Sequence, residues 1–357
     1  MATCIMVGCD LHDKSMLLRI AVDRGQPVTR SWATNAGARK AMMADLWKRA
    51  GEGGAPRITF VYEACGFGFR FHDELTAAGI ESYVVAPSRL ARSAKHRKGK
   101  TDEKDAQALL EVLRAYVLAG SALPAVWVPD VQTRDDRELV RRRLAIAEDQ
   151  TKVKARVRWL LKRSGIEGSP TEGWTQAYWV WLQRLAGGGL PGGAAASLAS
   201  HARHLEWLWQ ETERLDEQIE ALSRGARYAG PVEALCRHKG VGLLTAMVYL
   251  TEMGDLSRFA NRRQVGSFLG LVPCSYETGQ GADRKGHITH QGPARVRKVL
   301  CQAIWSRVRW DEAERVAYER LVARNPKHKK IAVVARMRAL AIRLWHDGLA
   351  AQKALAA

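Results

Sequence analysis

Residues 3–10, Thr3-Cys-Ile-Met-Val-Gly-Cys-Asp10, are a short apolar, β-prone run that ends on a carboxylate. A run of this length bounded by turn residues reads as a strand. Outward from it, Ser15–Asp23 (SMLLRIAVD) gives a second strand, and Pro27–Thr34 (PVTRSWAT) alternates with period two and gives a third. Turn signals at His12–Lys14 and Arg24–Gln26 separate the three. A helical stretch at Gly37–Arg49 precedes Gly/Pro punctuation from Gly51 to Pro56. Arg57–Cys65 (RITFVYEAC) is a buried strand, Phe69–Ala78 a helix ending at Gly79, and Ile80–Pro87 (IESYVVAP) a fifth strand. Asp102–Ala119 reads as a helix with Thr101 as N-cap and Gly120 as its stop. The order β-β-β-α-β-α-β-α predicts a mixed sheet with helices packed on it.

Asp10 closes the first strand, and Glu63 sits near the end of the fourth among Val61, Tyr62, Ala64 and Cys65. A carboxylate in such company is costly to bury unless paired or metal-bound. Asp102 and Asp105, in KTDEKDAQAL, share one face of a helix start. If the first and fourth strands are neighbours, all four carboxylates converge on a hard-oxygen site suited to Mg2+, the ion of two-metal phosphodiester chemistry. Singly, Asp102 and Asp105 also fit ordinary helix-dipole acids, and Asp10 an Asx turn.

The chain is strongly basic, with 56 Lys plus Arg against 37 Asp plus Glu and a net charge of +19 over 357 residues. Residues 89–100 carry six basic and no acidic side chains, and 134–163 carry eleven basic and five acidic. Residues 284–309 and 324–343 each carry seven basic and no acidic side chains. These tracts exceed the whole-chain excess, so the remainder is net acidic, which a uniformly charged surface would not give. Concentrated basic tracts bind phosphate backbones; the alternative for any one tract is a solvated helix face. Candidate contacts are Arg97, Lys98, Lys100, Arg141, Arg142 and Arg143, then Lys239, Gly240 and Gly242, then Arg284, Lys285, Arg295, Arg297 and Lys298.

Hydrophobic residues make up 46% of the chain, which excludes a disordered polyelectrolyte. The six cysteines form no CxxC pair, so neither a zinc ribbon nor a disulfide framework is indicated. No apolar run suits a membrane span and the start turns acidic too early for a signal peptide, so a cytoplasmic, nucleoid-associated location is expected.

Three divisions are expected: a sheet domain over 1–130, a helical arm over 131–228 and a small helical domain over 229–357. Leu205, Leu208, Thr212, Leu215, Ile219 and Leu222 form a heptad seam, and Leu139, Ile146, Val153 and Leu160 repeat every seven residues. Around the Gly-rich Gly187–Gly193, these predict an antiparallel coiled-coil arm or a dimerising one. Trp159, Trp174, Trp179, Trp181, Trp207 and Trp209 all lie there, as packing residues or as platforms for base stacking. In the last third, Gly240-Val-Gly242 with Ala246 fits a helix-hairpin-helix turn, in which backbone N–H groups meet a phosphate.

Together these motifs carry a resemblance. Asp10, Glu63, Asp102 and Asp105 on this frame resemble the RuvC-like branch of the RNase H fold. VGCDLH, VYEACG and KTDEKDAQAL resemble the DEDD transposases of bacterial insertion sequences, the one-hundred-and-ten family of recombinases that work with a bridge RNA. GVGLLTA, RFANRRQVGSFLGLVPCSYETG and KGHITHQGPARVRKVL are similar to that family's C-terminal transposase domain. The resemblance spans nearly the whole chain, with Gly165–Ser200 looking like an enlarged insertion. It implies Mg2+ on the four carboxylates, DNA and a bridge RNA as partners, and a homo-oligomer, dimer or tetramer. It also implies a serine hydroxyl in the C-terminal domain that forms a covalent ester with DNA. Here the chain departs from the pattern: Thr278 stands where that serine is common, and Ser275 lies three residues upstream. Two further readings stay open. One is a junction-resolvase-type endonuclease using water; the other is a non-catalytic nucleic-acid-binding protein.

Overall fold

Alternation along the first strand, β1 (Cys4–Leu11), creates two faces. Ile5, Val7, Cys9 and Leu11 enter one core, while Met6 enters another on the opposite face, which Gly8 and Asp10 share. The computed structural model describes residues 4–51, 56–87, 101–276 and 284–356. Arg97, Lys98, Lys100 and Thr278 lie outside the described residues, as do the side chains of Arg284 and Lys285. The chain divides into two compact units, Met1–Val128 and Pro129–Ala357.

In the first unit, β2 (Ser15–Val22) pairs antiparallel with β1, and β3 (Val28–Ala33) antiparallel with β2. Helix α1 (Ala36–Ala50) then leads to β4 (Arg57–Glu63), which runs parallel to β1; α2 (Arg70–Ala77) leads to β5 (Glu81–Val85), parallel to β4. The sheet order is β3-β2-β1-β4-β5, so β1 and β4 are neighbours at its centre. Met42, Leu46, Phe71 and Leu75 from α1 and α2 fill one face. Leu109, Leu110 and Leu113 of α3 (Asp102–Ala119) fill the other, against Met6, Val61 and Val85. Helix α3 begins and ends where its residues dictate. Thr101 accepts a side-chain hydrogen bond from the Lys104 N–H, and Gly120 takes the left-handed conformation at φ 67°.

Gly8 decides how close α3 can come. A Cβ there would stand 2.4 Å from both the Ala106 carbonyl oxygen and the Leu110 nitrogen, so the sheet and helix backbones meet only over a glycine. Gly8→Ala is therefore expected to destabilise the protein by about 1–3 kcal/mol or more, read as a lowered thermal midpoint. An unchanged midpoint would show that α3 withdraws freely.

In the second unit, α4 (Val131–Arg163) and α6 (Gly192–Ser223) are each about 50 Å long at 1.5 Å per residue and pack on each other. Ile146, Val153 and Leu160 meet Leu205, Leu208 and Leu215 in one core, so the heptad seam is filled within the chain. Between them lie α5 (Gln176–Arg184) and a π-turn at Leu185–Gly189. Trp174, Trp179, Trp181 and Trp209 pack on this core, while Trp159 and Trp207 are exposed.

The rest of the unit is α7 (Ala229–Cys236), α8 (Leu243–Met253), α9 (Arg262–Phe268), a hairpin of β6 (Pro273–Tyr276) and β7 (Arg284–Ile288), then α10 (Ala294–Trp310), α11 (Glu312–Arg324) and α12 (Lys329–Ala356). The hairpin departs from the all-helical expectation. Its strands are short and half polar, so no hydrophobic alternation announces them. No helix among the described residues is long and apolar enough to cross a membrane.

Candidate active site

Strand register and helix phase bring Asp10 and Asp102 together, while Glu63 lies on the same sheet face and Asp105 on the same helix start but outside their group among the described residues. Cys9 pairs with Tyr62, which sets Asp10 and Glu63 at the same end of two adjacent parallel strands. On β1 and β4 they share the face of Met6 and Val61, the face that α3 covers. Asp102 and Asp105 lie one turn before the buried Ala106 and Leu109, on the sheet-facing side of α3. Arg19 on β2 fastens that helix start to the sheet, donating to Glu103 at 3.0 Å and to Gln107 at 2.8 Å.

At the centre of this arrangement is a residue the sequence placed only in a turn. His12 donates from Nε2 to Asp10 Oδ2 at 3.1 Å, and the same nitrogen lies 3.6 Å from Asp102 Oδ1. One ligand atom from each of Asp10, His12 and Asp102 falls within 4.8 Å of the others, close enough to hold one metal ion. Burial pushes the Asp10 carboxyl above its usual range; His12 pulls it back, and Asp102 and Asp105 push it further up. A half-buried carboxylate facing two more is a site short of positive charge, and its oxygen donors suit a hard divalent cation. The signal for His12 was its position two residues after Asp10, in VGCDLH.

Several basic candidates of the second unit have their charges engaged inside it. Arg141 donates to both carboxylate oxygens of Glu252 at 2.7 and 2.9 Å, and Arg143 to both of Asp216 at 2.8 and 2.9 Å; Arg142 is exposed. Lys298 pairs with Glu148 at 2.9 Å. Arg297 donates to the carbonyl oxygens of Leu269, His290, Gln291 and Gly292, which makes it a clamp on the turn between β7 and α10. Glycine supports that turn, because a Cβ on Gly292 (φ 68°) would collide with the Phe268 carbonyl. Arg295 remains exposed.

Gly240 (φ 77°) presses against α10, its Cβ position 2.8 Å from the Ala303 carbonyl oxygen, and Arg307 donates to the Lys239 carbonyl at 3.0 Å. The turn is thus built to pack. Lys239 and Gly242, the N-cap of α8, stay exposed. Ser275 is exposed on β6, opposite Lys285.

Comparison with known proteins covers both units. A protein of Sinorhizobium fredii, the transposase candidate y4qE, is 30% identical over 304 residues, 84% of this chain and 71% of that protein. The transposase for insertion sequence element IS1533 of Leptospira borgpetersenii is 26% identical over 249 residues, 68% of this chain and 69% of its own. The transposase for IS1111A of Coxiella burnetii is 25% identical over 237 residues, 64% and 61% of the two chains. Residues 7–165, which span all four carboxylates, match the DEDD transposase model of the IS110 type. Residues 232–319 match the Transposase IS116/IS110/IS902 family. With both models met in order and a relative of 30% identity aligned over most of its length, the chain belongs to the IS116/IS110/IS902 family of transposases.

Proposed function

We propose that this transposase cuts and rejoins DNA at the ends and target of an insertion element, with an RNase H-like sheet domain holding Mg2+ and a hydroxyl of the C-terminal region attacking phosphorus. The observation that carries the reading is the meeting of Asp10 and Asp102 about His12 at the end of the central strands. Asp10, Asp102, Asp105 and Glu63 would hold the ion, with His12 beside them. When bound, Mg2+ supplies stabilisation for negative charge developing on the phosphate oxygens. The carboxylates orient the ion, Arg19 fixes the helix that brings two of them, and the basic C-terminal residues Arg284, Lys285 and Arg295 position the DNA backbone.

In the attack, the oxygen of Thr278 or Ser275 forms a bond to phosphorus and gives up its proton to solvent, while the bond to a deoxyribose oxygen breaks and that oxygen takes up a proton and leaves as a hydroxyl. The resulting protein–DNA ester replaces the broken phosphoester bond and keeps its energy for rejoining. A DNA hydroxyl then reverses the step, joining the new strand and releasing the side chain. A bridge RNA on the basic tract 134–163 and DNA on 284–309 complete the assembly, which works as a homo-oligomer in the bacterial cytoplasm. Thr278 in place of serine favours the runner-up, cleavage by water as in a junction resolvase.

Trapping of protein–DNA adducts separates the two. Thr278→Ala is expected to abolish the adduct and Ser275→Ala to leave it. Adducts that survive both substitutions remove these hydroxyls from the mechanism, and cleavage without any adduct selects water.

A further inference from the structure

Helix α10 presents a face that is exposed among the described residues of its unit. Arg295, Lys298, Gln302, Trp305 and Arg309 recur at spacings of three and four, and all five are exposed. They form a stripe about 21 Å long at 1.5 Å per residue. Trp305 is 50% exposed in the middle of it and Trp310 is 71% exposed at its end. Large aromatic side chains left this open, one on the stripe and one at the helix end, mark a contact surface. No acidic residue occurs anywhere in residues 284–309. The Arg309 guanidinium lies 4.8 Å from the centre of the Trp310 ring, and Trp305 meets Tyr318 edge-on, ring centres 5.8 Å apart. Lys298 is the one member paired among the described residues, with Glu148.

We infer that this stripe binds unpaired nucleotides of DNA, its cations on the phosphates, with Trp305 within it and Trp310 at the helix end stacked on bases. Two features select that partner. The stripe itself carries cations and no acid, with Glu148 against Lys298 as a neighbouring counter-charge, so charge complementarity favours a polyanion over a basic or neutral protein surface. A duplex offers phosphates but keeps its base faces stacked, so exposed indoles gain from a nucleic acid only where bases are free. Strand cleavage and exchange create such free ends. The inference rests on DNA being what this chain acts on, and it adds that the C-terminal unit holds the strand after it is opened.

The experiment compares binding of a twenty-nucleotide oligothymidylate with that of a DNA duplex of equal length, using the full chain at one fixed salt concentration. Trp305→Ala and Trp310→Ala are each expected to weaken oligothymidylate binding about tenfold and to leave duplex binding within about twofold. Trp305→Phe and Trp310→Phe, which keep a ring face, should restore most of the loss. Both tryptophans are exposed, and an unchanged thermal midpoint will show that the variants fold. Equal weakening on both probes overturns the stacking role, since only phosphates would then be read. Unchanged binding to both also overturns it, and a fall in sedimentation coefficient in those variants would assign the face to a protein interface. If the unaltered chain binds neither DNA, the functional reading itself fails; if it binds DNA and the alanine variants bind equally, only the stripe does.

Discussion

Asp10→Asn should lower the rate of DNA cleavage by about a thousandfold or more while leaving DNA binding within about twofold. Asp10 is the one carboxylate of the group that is both half-buried on a central strand and in hydrogen-bond contact with His12 at the cluster's centre. Under the proposed function its loss would remove a metal ligand without moving the strand, because β1 is fixed on both sides by β2 and β4. A second readout separates metal binding from general damage. An acid whose folded pKa is raised contributes stability below its unfolded pKa near ~3.9 and loses it as pH rises through the folded value. At neutral pH the ionised Asp10 therefore burdens the metal-free fold, and a bound cation relieves the burden. In a chelator, Asp10→Asn is expected to melt at or above the temperature of the unaltered chain. On addition of Mg2+ the unaltered chain should gain stability and the variant should gain less. Normal cleavage by the variant, or an undiminished Mg2+ shift, would remove Asp10 from the site.

The frame that carries these acids was readable because each strand announces itself by a local signal. Cys4–Leu11 and Arg57–Glu63 are apolar runs with an acid at or next to the last position, and Thr101 and Gly120 cap their helix as their chemistry requires. What joins distant segments was not readable. Arg141 and Arg143 looked like free cations in an Arg-Arg-Arg run, yet their partners Glu252 and Asp216 lie 111 and 73 residues away. Arg297 looked like a phosphate contact and faces four carbonyls instead, a role set by a turn whose shape no spacing encodes. The heptad seam of residues 205–222 was visible, but periodicity names a buried face and not what buries it. Here α4 of the same chain does so. His12 was passed over because a polar residue after a strand reads as a turn. Only the return of α3 across the sheet, permitted by Gly8, puts Asp102 within reach of it.

The largest loss of stability is expected at Glu314, which is only 2% exposed. Its carboxylate accepts from Arg307 Nε at 3.0 Å and from both Arg336 Nε and Nη2, the latter at 3.1 Å. Burial alone would raise this carboxyl, yet the hydrogen bonds from Arg336 and Arg307 hold it below the usual glutamate range. Glu314→Ala leaves the guanidinium of Arg307, itself 6% exposed, without its main counter-charge. Breaking a buried pair from one side costs about 3–5 kcal/mol, because the charge left behind keeps its desolvation penalty. Glu314→Gln keeps an acceptor and the shape, and should cost less. Removing all three charges together, with Glu314→Leu, Arg307→Met and Arg336→Met, should recover much of the loss, since no orphaned cation remains. Acid provides an independent check of the sign. A carboxyl with a lowered folded pKa contributes stability above its unfolded pKa near ~4.3 and loses it as pH falls toward the folded value. The stability of the unaltered chain should therefore decline through this interval more steeply than that of Glu314→Gln, with urea midpoints as the measure. Equal slopes would show that the carboxylate is not held by its two arginines. The consequence reaches the Gly240 turn through Arg307, which also donates to the Lys239 carbonyl and so holds that turn against α10. A Glu314 variant that folds should thus loosen that turn, read as faster amide hydrogen exchange at Lys239–Gly242, although Glu314 itself does not touch it.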